Sequence, residues 1–141
     1  MSTDPNSEPT PYMRIGEAEG LRRFVSRMYN LMDTLPEARA VRAQHPADLD
    51  NSEQKLFEFL SGWLGGPPLF VERHGPPMLR RRHLPFAIGM EEINGWLCCF
   101  HQALHETVAD ADLRDFIWER IEPLALHMRN TSALPAGFPQ N

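Results

Sequence analysis

Apolar residues recur at three- and four-residue intervals along most of the chain, and no stretch sustains two-residue alternation. The pattern predicts an all-α fold. A first long helix is expected over Glu17–Thr34, where Leu21, Phe24, Val25, Met28, Leu31 and Met32 form one stripe and Arg22, Arg23, Arg27 and Asp33 lie mostly off it. Pro36 stops it and opens a short helix, Glu37–Arg42, before a loop at His45-Pro46. A second long helix starts near Asp50–Ser52, with Ser52 and Glu53 as its start signal and Leu56, Phe59, Leu60, Trp63 and Leu64 as its buried stripe. Gly65-Gly66-Pro67-Pro68 ends it. From Gly65 to Gly75 the composition predicts an irregular loop, and its Leu69, Phe70 and Val71 argue against disorder. A short helix, Pro77–Arg82, then leads to His83. Two more long helices follow, Glu91–Val108 and Ala111–Asn130. Their apolar faces are Ile93, Trp96, Leu97, Phe100 and Leu104, and Leu113, Phe116, Ile117, Ile121, Leu124 and Met128. Pro123 lies inside the last helix and is expected to kink it. Polar, proline-containing ends predict a disordered leader over 1–13 and a flexible tail over 132–141, leaving one domain over 14–131.

Length and composition agree with one globular domain: 141 residues, 42% apolar and 23% charged. A formal net charge of -5 argues against a basic nucleic-acid binder and against polybasic membrane attachment. No apolar run approaches the ~20 residues of a membrane helix, and the N-terminus lacks the charged start and apolar stretch of a secretory signal. Cys98 and Cys99 are neighbours, which on a helix point about 100° apart and do not bridge. No CxxC pair is present, so neither structural zinc nor a dithiol redox site is indicated, and a reducing cytoplasm fits best.

Lys55 is the only lysine, and Arg80, Arg81 and Arg82 stand together. On charge alone this is a solvated run; a site for an anionic ligand is the alternative. His101 and His105 are spaced for metal binding, but no glutamate base stands between them as in HExxH and no third ligand is evident, so two solvent-facing histidines are the plainer reading. His83 follows the arginines and precedes Leu84-Pro85-Phe86; by context alone it is a structural residue more often than a ligand. No GxSxG and no glycine-rich phosphate loop occur. Glu91-Glu92 suit a helix start and need no catalytic role.

Three stretches together are far more specific. Met28-Tyr29-Asn30-Leu31-Met32-Asp33 puts a tyrosine on the buried side of an early helix. Leu60-Ser61-Gly62-Trp63-Leu64-Gly65-Gly66-Pro67-Pro68 closes the next long helix. Met78-Leu79-Arg80-Arg81-Arg82-His83-Leu84-Pro85-Phe86-Ala87-Ile88-Gly89 is followed shortly by Trp96-Leu97. In this combination, over roughly Ile15 to Thr131, the chain resembles a group II truncated hemoglobin. The resemblance implies a two-over-two helical sandwich around one haem b. It makes His83 the proximal iron ligand and places Tyr29, His45 and Trp96 on the distal side, with Ser52 where many globins hold a distal histidine or glutamine. Leu56 and Phe59 would contact the haem, Leu79, Phe86 and Ile88 would line its proximal and lateral walls, and Arg82 and Lys55 would face the propionates. The loop from Gly65 to Gly75 would then take its order from bound haem. Three positions depart from the family pattern: Pro76 where histidine is common, Phe70 where tyrosine is common, and Ile93 where arginine is common. None touches iron ligation; each removes a polar contact or a charge at the rim.

The resemblance implies a haem-binding globin that takes O₂ and other diatomic ligands. A phenol O–H and an indole N–H aimed at a partly negative ligand slow its release. Tight holding suits reaction with nitric oxide or peroxide better than oxygen delivery. Such turnover needs a separate reductase, since the chain has no room for a flavin domain. A ligand sensor or a haem-binding interaction protein without turnover is the rival reading. Without the resemblance, Tyr29 would be a buried tyrosine bonded to backbone and Trp96 a core residue. A monomer and a homodimer fit the sequence equally.

Overall fold

The computed structural model describes residues 8–131, in which every regular element is a helix and no strand occurs. Thr10 caps a short helix α1 (Pro11–Ile15), its Oγ1 accepting from Met13 N at 3.1 Å. Residues 10–13, expected within a disordered leader, are thus ordered by a cap and by packing: Tyr12 N donates to Leu64 O at 2.9 Å. The Tyr12 ring lies flat against Gly66, where no Cβ would fit. The rest of that leader, 1–7, and the tail, 132–141, lie outside the described residues.

The long helices are α2 (Glu17–Thr34), α4 (Asp50–Trp63), α7 (Met90–Thr107) and α8 (Ala111–His127). A 3₁₀ turn (Pro36–Ala38) and α3 (Arg39–Ala43) follow α2, and two short helices, α5 (Leu69–His74) and α6 (Leu79–His83), bridge α4 to α7. Helix α2 packs on both α4 and α7, and α7 on α8, so the pairs α2/α4 and α7/α8 form a two-over-two sandwich. Its core includes Leu21, Phe24, Met28, Leu60, Phe100 and Leu104, all almost wholly buried. Phe24 and Phe100 meet edge to face, 4.9 Å between centroids. Gly95 lets α7 touch the 3₁₀ turn: a Cβ there would stand 2.7 Å from Glu37 O.

Several local expectations are corrected. The segment from Gly65 to Gly75 is not wholly irregular, because residues 69–74 form α5. Six residues are too few to show a periodic stripe. The helix is fastened by one buried aromatic, Phe70, edge-on to Phe59, and by a polar anchor, Glu58, whose side chain is 2% exposed. Its carboxylate accepts from His74 Nε2 at 2.9 Å and Gln54 Nε2 at 3.2 Å, and Arg73 Nη1 lies 3.1 Å away. Helix α4 begins at Asp50, within the expected start, but the bond that marks it is Asp48 Oδ1 accepting from Asp50 N rather than one from Ser52. Phe116 is exposed rather than buried, with the Arg120 guanidinium 3.5 Å over its ring. Helix α8 ends at His127, not Asn130, while Pro123 lies within it as expected.

Burial pushes the Glu58 carboxyl up, but the bonds from His74 and Gln54 and the nearby positive charge outweigh this and hold it below its ordinary 4.5. A lowered folded value stabilises above the ordinary value and ceases to do so as pH falls through the lowered one. Glu58→Ala should therefore lower the unfolding free energy at pH 7 by about 2 kcal/mol. Urea denaturation should show the gap to wild type closing as the medium is made strongly acid. An equal gap at both pH values would show that only packing was lost.

Candidate functional site

A cavity of about 520 Å³ opens between α4, α6, α7 and α8, within the 300–1,000 Å³ range usual for ligand pockets. Every site residue nominated from the sequence lines it: Tyr29, His45, Ser52, Lys55, Leu56, Phe59, Leu79, Arg82, His83, Phe86, Ile88 and Trp96. The cavity also borrows residues the pattern assigned to the core or left aside, among them Val41, Gln44, Phe70, Ile93, Ile121 and Met128. Gln44 was detectable only by its place beside His45; the α8 residues share one helical face and read as packing.

His83 ends α6. Its Nδ1 lies 2.6 Å from Leu79 O. A carbonyl only accepts, so Nδ1 carries the proton, and in the neutral ring Nε2 keeps its lone pair for a partner in the cavity. His45 is tied the same way, Nδ1 donating to Val41 O at 2.9 Å. Burial lowers its pKa, outweighing the Val41 carbonyl, and Arg42 and His83 lower it further. Its ring is therefore neutral near pH 7, with Nε2 an acceptor. Tyr29 stands edge-on to His45, 6.1 Å between centroids. Burial, with the charge of Glu53 second, raises the Tyr29 phenol, so it remains an O–H donor. Among the described residues neither the Tyr29 hydroxyl nor the Trp96 indole N–H donates to a protein acceptor, and neither atom is sealed from the cavity. Two donors thus stand without partners around one apolar space.

The cationic rim differs in detail from expectation. Arg82 Nη2 donates to His74 O at 2.8 Å and Pro76 O at 3.0 Å, and its guanidinium lies 5.1 Å over Phe70. It braces the turn between α5 and α6 while bordering the cavity. Lys55 is exposed at the edge. His101 and His105 lie on the far face of α7, their rings 4.2 Å apart and His101 edge-on to Trp118. No group of three potential metal ligands forms among the described residues, and no described helix is long and apolar enough to cross a membrane. Burial, with the neighbouring Cys98 and Glu37, pushes the Cys99 thiol up to about 11.

A two-over-two helical sandwich around an apolar cavity, with an available imidazole on a short helix and two donors unpaired among the described residues, defines a globin. The family profile described as bacterial-like globin matches residues 10–130. Group 2 truncated hemoglobin YjbI of Bacillus subtilis (strain 168) is 40% identical over 120 residues, 85% of this chain and 88% of the relative. The group II 2-on-2 hemoglobin of Agrobacterium tumefaciens superposes with a TM-score of 0.87 at 51% identity, covering 92% of this chain and 98% of that one. A truncated oxygen-avid haemoglobin of Bacillus subtilis superposes with a TM-score of 0.78 at 38% identity, covering 86% and 100%. The chain belongs to the group II truncated hemoglobins, and so is a haem b protein that binds oxygen. The residues present fit that group: an imidazole nitrogen, apolar walls and cations at the rim.

Proposed function

We propose that this globin holds O₂ and other diatomic ligands tightly and uses them in reaction, consuming nitric oxide or peroxide with electrons from a separate reductase. The observation that carries this is the pair of donors, Tyr29 and Trp96, unpartnered among the described residues and lining one cavity. His83 Nε2 is the iron ligand. Leu56, Phe59, Leu79, Phe86 and Ile88 are the apolar walls, Lys55 and Arg82 the cations beside the propionates, and Ser52 a small side chain that leaves the ligand side open. When bound, the haem supplies the iron at which diatomic ligands attach and electrons are exchanged.

The chain supplies the rest. Tyr29 and Trp96 donate to the negative charge that accumulates on the ligand. His45, neutral and with Nε2 free, accepts from a water rather than from Tyr29, so the single phenol proton stays available to the ligand. A hydrogen bond to a charged group is worth about 1.5–3 kcal/mol, so two donors give slow release. Slow release is ill suited to delivery and well suited to a second reactant arriving at the site. The oxygen avidity in the name of the Bacillus subtilis structure supports the same reading.

Stopped-flow spectrophotometry tests it. The purified, reduced protein should release O₂ slowly, and the oxygenated protein should consume added nitric oxide repeatedly when a chemical reductant resets the iron. Rapid release, or binding with no consumption of nitric oxide or peroxide, would favour the sensor reading.

A further inference from the structure

The main chain around His83 is held chiefly by polar bonds. No residue of α6 is buried, and Leu84 and Phe86 just beyond it are 53% and 45% exposed. Apolar packing therefore does little to fix where the helix ends. One side chain from the far end of the domain does. Asn130, just past α8, uses its amide on both sides. Its Oδ1 accepts from Ile88 N at 2.8 Å, and its Nδ2 donates to Phe86 O at 2.8 Å and His83 O at 3.1 Å. A primary amide offers one such oxygen and two N–H donors, so these bonds employ the whole group. The backbone N–H groups of Asn130 and Thr131 also donate to Ile88 O, at 2.9 and 3.1 Å. Gly89 keeps room for this strand of chain: a Cβ there would stand 2.7 Å from Thr131 Oγ1.

We propose that Asn130 is a positioning residue for His83. It clamps the main chain from His83 to Ile88 to the end of α8, and so fixes the direction in which the imidazole enters the cavity. This rests on the reading of His83 as the iron ligand. Shape alone would not serve. Aspartate has the same outline, but its second oxygen would face the carbonyls of His83 and Phe86 with no proton to share.

The test compares holoprotein of wild type, Asn130→Ala and Asn130→Asp by three readouts. These are haem transfer to a haem-free acceptor globin, the iron–histidine stretching band of the ferrous protein, and hydrogen exchange of the Ile88 amide. Both variants should lose haem at least about tenfold faster, since Asn130→Asp loses two hydrogen bonds and Asn130→Ala three, with a shifted or broadened iron–histidine band. Ile88 should lose protection in Asn130→Ala and keep it in Asn130→Asp, which retains the acceptor. Wild-type haem transfer and an unmoved band in both variants would overturn the proposal. Wild-type behaviour of Asn130→Asp alone would overturn the donor role and leave only packing. An iron–histidine band that survives His83→Ala would sink the assignment of His83 instead, while lost Ile88 protection in Asn130→Ala would still record the clamp.

Discussion

His83→Ala should yield a folded protein that does not retain haem. Among the residues of the cavity wall, two histidines have a ring nitrogen bonded to a backbone carbonyl, which leaves the other nitrogen for the cavity: His83 and His45. Of these, His83 alone is carried by the short helix that closes the cavity from the side of α5. Removing a group that merely orients a metal ligand already costs about 10–100-fold in metal affinity; removing the ligand itself should cost more. The measurement is the Soret absorbance of protein purified with and without added haemin, repeated with free imidazole. Recovery of haem by imidazole would identify the missing group as a ligand. An unchanged spectrum without imidazole would move ligation elsewhere. His74 is a poor substitute, since its Nε2 is engaged by Glu58.

Trp96→Phe should speed O₂ release by at least about tenfold, because an N–H donor to a charged ligand is worth about 1.5–3 kcal/mol, or roughly 10- to 150-fold in affinity. Phenylalanine keeps the apolar body, which lies 5.3 Å from the Phe100 ring between centroids, so the core should stay closed. The change should appear in the dissociation rate and much less in thermal stability. An unchanged release rate, with stability lowered, would mean that Trp96 serves the core and that Tyr29 acts alone.

The long helices were readable because each spends four or five turns against the core, so that the apolar stripe outweighs local exceptions. Helix α5 was not, since one buried aromatic, Phe70, makes no stripe and its polar fastening is a carboxylate on α4. A glutamate in a helix reads as solvent-facing, and nothing local marks Glu58 as buried. Helix α4 shows a second blind spot. Leu56 and Phe59 read as core and are half-buried at the cavity, whereas Phe57, Leu60 and Ser61 carry the burial. An apolar cavity and an apolar core impose the same periodicity, so the sequence pattern cannot divide them. The cavity residues were found through motifs: the Arg-His-x-Pro-Phe run, the tyrosine of the first long helix and the tryptophan that follows. Arg82 shows the limit of that route. A motif nominates a charge, but not the two carbonyls that occupy part of its guanidinium. Asn130 escaped because its partners lie more than forty residues away and its type is ordinary for a helix end.

Thr10 and Asn130 both act as fasteners, one closing the first helix beside the Tyr12–Gly66 contact and the other securing the chain after α6. For anyone who wishes to shorten, tag or fuse this globin, Thr10 and the Asn130-Thr131 pair, whose N–H groups both bond Ile88 O, are the practical margins. Additions outside them leave every described tie intact. Trimming past either one cuts a seam: at the front it frees the corner where α4 ends, and at the back it slackens the wall that carries His83.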